Sequence, residues 1–138
     1  MEGYRSHCAI NLALEVFGDK WSLIIIRDMM FGGKRHFREL LQSDEKIASN
    51  ILTDRLLMLE REGIITKEGD PEHKQKIIYS LTQKGIDLMP VIIQLVVWSF
   101  KHMPVDPEIN RHAKMIIDGG KEVQEAVTRQ LQKDHLKS

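Results

Sequence analysis

Between Phe37 and Gly85 the spacing of apolar positions changes from helical to alternating and back. Phe37, Leu40 and Leu41 make a short amphipathic segment that meets a polar turn, Gln42 to Lys46. From Ile47 to Glu62 the helical period returns. At about 100° per residue, Leu52, Leu56 and Leu59 share one stripe with Ala48 beside them. Asn50, Asp54, Leu57 and Arg61 fall on the opposite side, with Thr53 on the flank. Gly63 stands where a C′ glycine ends a helix. Two runs of β-branched and aromatic residues follow, Ile64 to Lys67 and Ile77 to Leu81, separated by the polar stretch Glu68 to Lys76 with the turn signal Gly69-Asp70-Pro71. Helix, turn, helix and two-stranded ribbon is the layout of a winged helix-turn-helix, a mainly α fold with a small β wing.

The flanking segments are helical. Ala9 to Phe17 carries Leu12 and Val16 at i,i+4 and stops at Gly18. Asp19 is a candidate N-cap for a helix over Lys20 to Phe31, ended by Gly32 and Gly33. Trp21, Leu23, Ile24, Ile25 and Ile26 are too apolar for a one-sided surface helix and predict a core spine. Gln83 to Met103 reads as one long helix, kinked near residues 86–90 by Pro90, with apolar residues nearly encircling it. Asp106-Pro107 reads as an N-cap and N1 proline opening a last helix toward Asp134, with the stripe Ile116, Val123, Val127 and Leu131 and a kink or break at Gly119-Gly120. The expected organisation is a single domain over 1–138, with a winged-helix core at about 19–85 and dimerisation helices at 1–18 and 86–138.

Composition narrows the function classes. A 16.0 kDa chain of 138 residues, 42% apolar and 29% charged, is an ordinary globular protein. Met1 to Cys8 lacks the apolar core of a signal peptide. The greasy run Leu88 to Phe100 is interrupted by Pro90 and Gln94 and is short of the roughly 20 residues of a membrane span. One cysteine excludes an internal disulfide framework and fits a reducing compartment, so a cytoplasmic location is expected. Nucleotide-binding glycine loops, H-E-x-x-H and paired C-x-x-C are absent, and six histidines are scattered, so neither an enzyme nor a cofactor or metal is expected. Twenty basic residues balance twenty acidic ones. Affinity for nucleic acid must therefore come from charge sorted onto one face, and residues 33–76 hold nine Lys/Arg and nine Asp/Glu.

Several spaced motifs, "FGDKWSLIIIRDM" from Phe17, "HFRELL" from His36, "LTDRLLMLEREGII" from Leu52 and "YSLTQKG" from Tyr79, resemble the HxlR family of bacterial winged-helix transcriptional regulators, related to the MarR group. Cys8 ahead of the first helix and Trp98 after the ribbon are similar too. The resemblance implies a homodimer on palindromic double-stranded operator DNA. A reading helix enters the major groove by its first turns, so Ser49, Asn50, Thr53 and Asp54 are the candidates for base edges. Asn50 can bind adenine through its amide, Thr53 can use its hydroxyl or methyl, and Asp54 can accept from cytosine. Lys34, Arg35 and Arg38 would clamp the backbone, and Lys74 and Lys76 would meet a phosphate from the wing. Arg55 has two readings, a phosphate contact or an intramolecular ion pair.

Cys8 reads either as a small buried hydrophobe or as a redox sensor, since some HxlR relatives use a cysteine at this position, with Arg5 and His7 near it in sequence. An alternative effector site is a pocket between the long helices that Met89, Trp98 and Phe100 could line, although core is the favoured reading of these residues. The outward Leu57 keeps a second function class in view, a winged-helix module that binds protein with little DNA affinity.

Overall fold

Residues Ala9–Phe17 fold as helix α1, which has no buried residue and leaves Ile10 and Leu14 exposed. The computed structural model describes residues 3–73 and 76–136 and divides into two compact units, Met1–Leu81 and Thr82–Ser138. Asp19 initiates the next helix from outside it. Its carboxylate accepts from the N–H groups of Trp21 and Ser22, both at 2.8 Å, so α2 begins at Ser22 and runs to Met30. Ile25, Ile26, Met29 and Met30 are buried, whereas Trp21, Leu23 and Ile24 are only half-buried, so the spine is one face of α2 rather than its whole girth.

Helix α3 is a single turn, Phe37–Leu40. The connection to α4 (Ser49–Arg61) is closed by Ser43, whose hydroxyl accepts from Ile47 N at 3.2 Å, and Lys46 there takes φ 59°. Leu52, Leu56 and Leu59 are the buried residues of α4. Gly63 ends the helix at φ 73°, a left-handed conformation that costs a residue with a side chain about 1–2 kcal/mol. Ile64 N then bonds back to Leu59 O at 2.9 Å. Strands β1 (Ile65–Gly69) and β2 (Ile77–Leu81) pair antiparallel, from Ile65 opposite Leu81 to Gly69 opposite Ile77. The first strand thus runs one residue later and two further than its β-branched run, because the ladder continues to the turn.

In the second unit the expected long helix is broken. Helix α5 (Gln83–Ile86) stops before Asp87 and Leu88, and α6 (Met89–His102) starts anew with Pro90 in its first turn. Proline lacks an N–H and crowds the carbonyl four residues back, so the short preceding turn ends rather than bends. Asp106 does cap a turn, accepting from Glu108 N at 2.9 Å, but residues 107–110 form a turn and α7 begins only at Arg111, running to Asp118. Gly120, at φ 67°, is the break before α8 (Gly120–His135). α7 packs against α6 and α8, and α5 against α8. Met89, Ile92 and Ile93 of α6 are buried, while Val91, Leu95 and Trp98 are exposed, so the described chain covers only one side of this apolar helix.

Leu52 is fully buried and Leu57 is 53% exposed on the same helix. Leu52→Ala is expected to lower the unfolding free energy by about 2–5 kcal/mol, and Leu57→Ala by less than about 0.5 kcal/mol. Urea titration checks this, and equal losses would contradict the two faces of α4.

Candidate nucleic-acid interface

The outer face of α4 is built by what its inner face buries. With the leucine stripe turned inward, Ser49, Asn50, Thr53 and Asp54 are exposed. Ala48 stands at the N-cap with no side-chain bond, and the first turn holds no acidic residue. The positive end of the helix therefore has no counter-charge from its own first turn. Thr53 donates its hydroxyl to Ser49 O at 2.9 Å, which fixes its rotamer and leaves its lone pairs outward. Asp54 is held by Arg55, whose Nε donates to Oδ2 at 3.0 Å, and Arg55 also pairs with Asp19 at 3.3 Å. The ion-pair reading of Arg55 is the one seen in the free chain.

The candidate phosphate-binding cations divide into bound and unbound. Lys34 Nζ donates to Gln42 O at 3.1 Å and lies 3.8 Å from Asp28. Arg35 reaches the wing: Nε donates to Tyr79 O at 3.0 Å, a second guanidinium nitrogen contacts the Ser80 hydroxyl, and Tyr79 N donates back to Arg35 O at 2.8 Å. This guanidinium is a strut between the loop and β2. Arg38 and Lys76 are exposed and, among the described residues, their side chains take no ion pair or hydrogen bond. Lys74 lies outside the described residues.

His36 joins the two parts of the motif. Its Nδ1 lies 2.9 Å from Glu39 Oε1, and its Nε2 lies 2.8 Å from Asp70 Oδ2. Glu39 also accepts from the N–H groups of Arg35 and His36, both at 3.0 Å, and so caps α3. Asp70 closes the wing turn: its N–H donates to Lys76 O at 2.9 Å and its Oδ1 accepts from Glu72 N at 2.9 Å. The carboxylates of Asp70 and then Glu39 raise the His36 pKa above its ordinary value, and His36 in turn lowers that of Asp70. A raised imidazole pKa stabilises the fold fully below the ordinary histidine range, and that contribution is lost as pH rises through the folded value.

A family model described as HxlR-like helix-turn-helix matches residues 16–107. The chain belongs to the HxlR family of winged-helix transcriptional regulators. It is 35% identical over 95 residues to the HTH-type transcriptional regulator YdeP of Bacillus subtilis, which covers 69% of this chain and 73% of YdeP. It is 34% identical over 87 residues to YodB of the same organism, covering 63% and 77% respectively. The structure of reduced YodB matches with a TM-score of 0.60 at 29% identity, over 73% of this chain and 100% of YodB. The redox regulator HypR in its oxidised form matches with a TM-score of 0.60 at 31% identity, over 71% and 100%. YodB has also been solved diamide-treated and quinone-bound.

In this HxlR-family chain Cys8 lies ahead of the matched residues, exposed at the N-cap of α1. Backbone N–H groups of Asn11 and then Ile10 stabilise its thiolate and lower its pKa. Trp98 is exposed and its ring lies 5.2 Å from that of His102, Phe100 is half-buried, and only Met89 is buried in the manner of a core residue. No helix among the described residues is long and apolar enough to cross a membrane. Sequence reasoning placed Glu39 and Asp70 only as a helix residue and a turn residue. The spacing His36-x-x-Glu39 was the one local signal for their shared role.

Arg35→Ala would leave the carbonyl of Tyr79 and the hydroxyl of Ser80 without this charged donor. A stability loss of about 1.5–3 kcal/mol is expected in urea titration, against less than about 0.5 kcal/mol for Arg38→Ala. A neutral Arg35→Ala would show that the strut contributes nothing to the fold.

Proposed function

We propose that this HxlR-family regulator binds a palindromic operator as a homodimer, with α4 of each copy in the major groove. The carrying observation is the polar, exposed first two turns of α4 above a fully buried leucine stripe. Asn50 reads a base pair, and Ser49, Thr53 and Asp54 lie beside it on the same face. Arg38 on α3 and Lys76 before β2, both exposed, supply phosphate contacts, and Lys74, two positions before Lys76 in the sequence, supplies another. Arg35 acts indirectly, by holding β2 to the loop before α3, and Lys34 by holding the turn after it. The open positive end of α4 adds an attraction for phosphate that net charge does not register. Residues 1–18 and 86–138 form the dimer interface, supported by the exposed Ile10 and Leu14 on α1 and Val91, Leu95 and Trp98 on α6.

Redox control through Cys8 is supported by its exposure, its stabilised thiolate and the diamide-treated and oxidised forms in which the similar regulators YodB and HypR have been solved. An oxidant of the diamide class would take two electrons and two protons from the Cys8 thiols of two subunits, leaving one disulfide between them.

Selection of bound genomic fragments, followed by affinity measurements at several salt concentrations, tests the DNA reading. Asn50→Ala is expected to lose about 1–3 kcal/mol at one base pair and to relax specificity there, whereas Arg38→Ala weakens all sites alike and reduces the salt slope by about one. Uniform weakening by Asn50→Ala would sink its reading role. Diamide is expected to change operator binding of the wild type and to leave Cys8→Ser unaffected. The same response in both proteins would remove Cys8 from the control mechanism.

A further inference from the structure

We propose that His36, in its doubly protonated form, is the positioning residue that sets the wing for DNA, by tying the wing turn at Asp70 to the start of α3. The proposal deepens the DNA-binding reading and rests on it. Its first support is geometric. Each ring nitrogen faces a carboxylate oxygen, at 2.9 Å and 2.8 Å, and a carboxylate offers only acceptors. A neutral imidazole has one N–H and can satisfy only one of the two. Both contacts together require a proton on each nitrogen, so losing one leaves a lone pair against either Glu39 or Asp70.

The second support is what Asp70 holds. One residue closes the hairpin through its N–H, shapes the turn through Oδ1 and accepts from His36 through Oδ2. A two-stranded hairpin has little stability of its own, so its posture depends on ties to the rest of the unit. Arg35 holds the base of the wing at Tyr79 and Ser80, and His36 holds its turn. Lys76, whose carbonyl receives the Asp70 N–H, is carried by this turn. The charged groups around the ring are Glu39 and Arg38 on α3, Asp70 and His73 in the turn, and Lys76 before β2. Protonation therefore adds a positive charge beside Arg38 and Lys76 as it closes the tie. Both effects favour phosphate in the same direction, and operator affinity should fall as pH rises through the His36 titration.

The test measures affinity of the full chain for its selected operator from pH 6 to pH 9 at constant ionic strength, alongside NMR titration of the His36 ring in free protein. Wild type should weaken about tenfold across the range, the scale of one charge-assisted hydrogen bond. His36→Gln should be nearly flat at the wild-type high-pH level. His36→Arg, permanently charged, should be flat near the low-pH level, and His73→Gln should keep the wild-type slope. Equal slopes in wild type and His36→Gln would overturn the proposal. In free protein, Asp70→Asn should shift the His36 titration downward, and an unmoved titration would overturn the tie whatever DNA does. Should no protein in the series bind DNA at any pH while that shift appears, the tie stands and the DNA reading fails.

Discussion

Burial of one leucine stripe on α4 is the constraint from which the rest of the unit follows. A helix with Leu52, Leu56 and Leu59 buried, packed against β1, cannot rotate without exposing them, and each fully buried leucine is worth about 1.5–3 kcal/mol. That anchoring fixes which side chains face outward. Asn50 and Thr53 are presented because a neighbouring position is held from behind, not because they make strong interactions of their own. Gly63 then lets the chain turn directly into β1, so the same helix sets the origin of the wing.

Electrostatics works here by subtraction. A chain with twenty basic and twenty acidic residues has no excess charge to offer, and many of its cations are occupied internally. Arg27 pairs with Asp28 and Glu45, Arg55 with Asp54 and Asp19, and Lys34 leans on Gln42 and Asp28. The exposed pairs among these, such as Arg55 with Asp54, contribute little stability singly, but they cancel fields locally. Among the described residues Arg38 and Lys76 keep their charge unpaired, and the first turn of α4 holds no acidic residue. In the proposed complex, an added charge on His36 acts beside Arg38 and Lys76.

Local features were legible in the sequence and distant pairings were not. The leucine stripe, the C′ glycine at Gly63, the break at Gly119-Gly120 and the antiparallel wing all follow from periodicity and backbone preference within a few residues. Helix α2 begins at Ser22 rather than Lys20 because Asp19 caps from outside, a shift of one turn or less that propensity does not resolve. Pro90 was read as a kink, yet the segment before it is only one turn long, too short to persist as a bent helix. Arg35 looked like a phosphate clamp because its cluster is basic. Its bond to Tyr79 spans 44 positions, and the His36–Asp70 bond spans 34, distances over which no pattern in one sequence reports. The same limit explains why Arg55 carried two readings, since its partner Asp19 belongs to another element.

The apolar surface left open raises a further physical point. Ile10 on α1 is 71% exposed, and Trp98 and Leu95 on α6 are at 57% and 50%. Isolated exposed apolar residues need no explanation, but a helix whose apolar residues are at most half-buried gains little from tertiary packing, and nine residues are marginal for a helix alone. In the proposed homodimer a second copy supplies the missing cover, so the order of α1 depends on association and hence on protein concentration. Cys8 sits at the first residue before that helix. In that proposed dimer, a change in the state of its sulfur would act on an element whose folding is coupled to association, and a modest local change could reach the spacing of the two proposed reading helices.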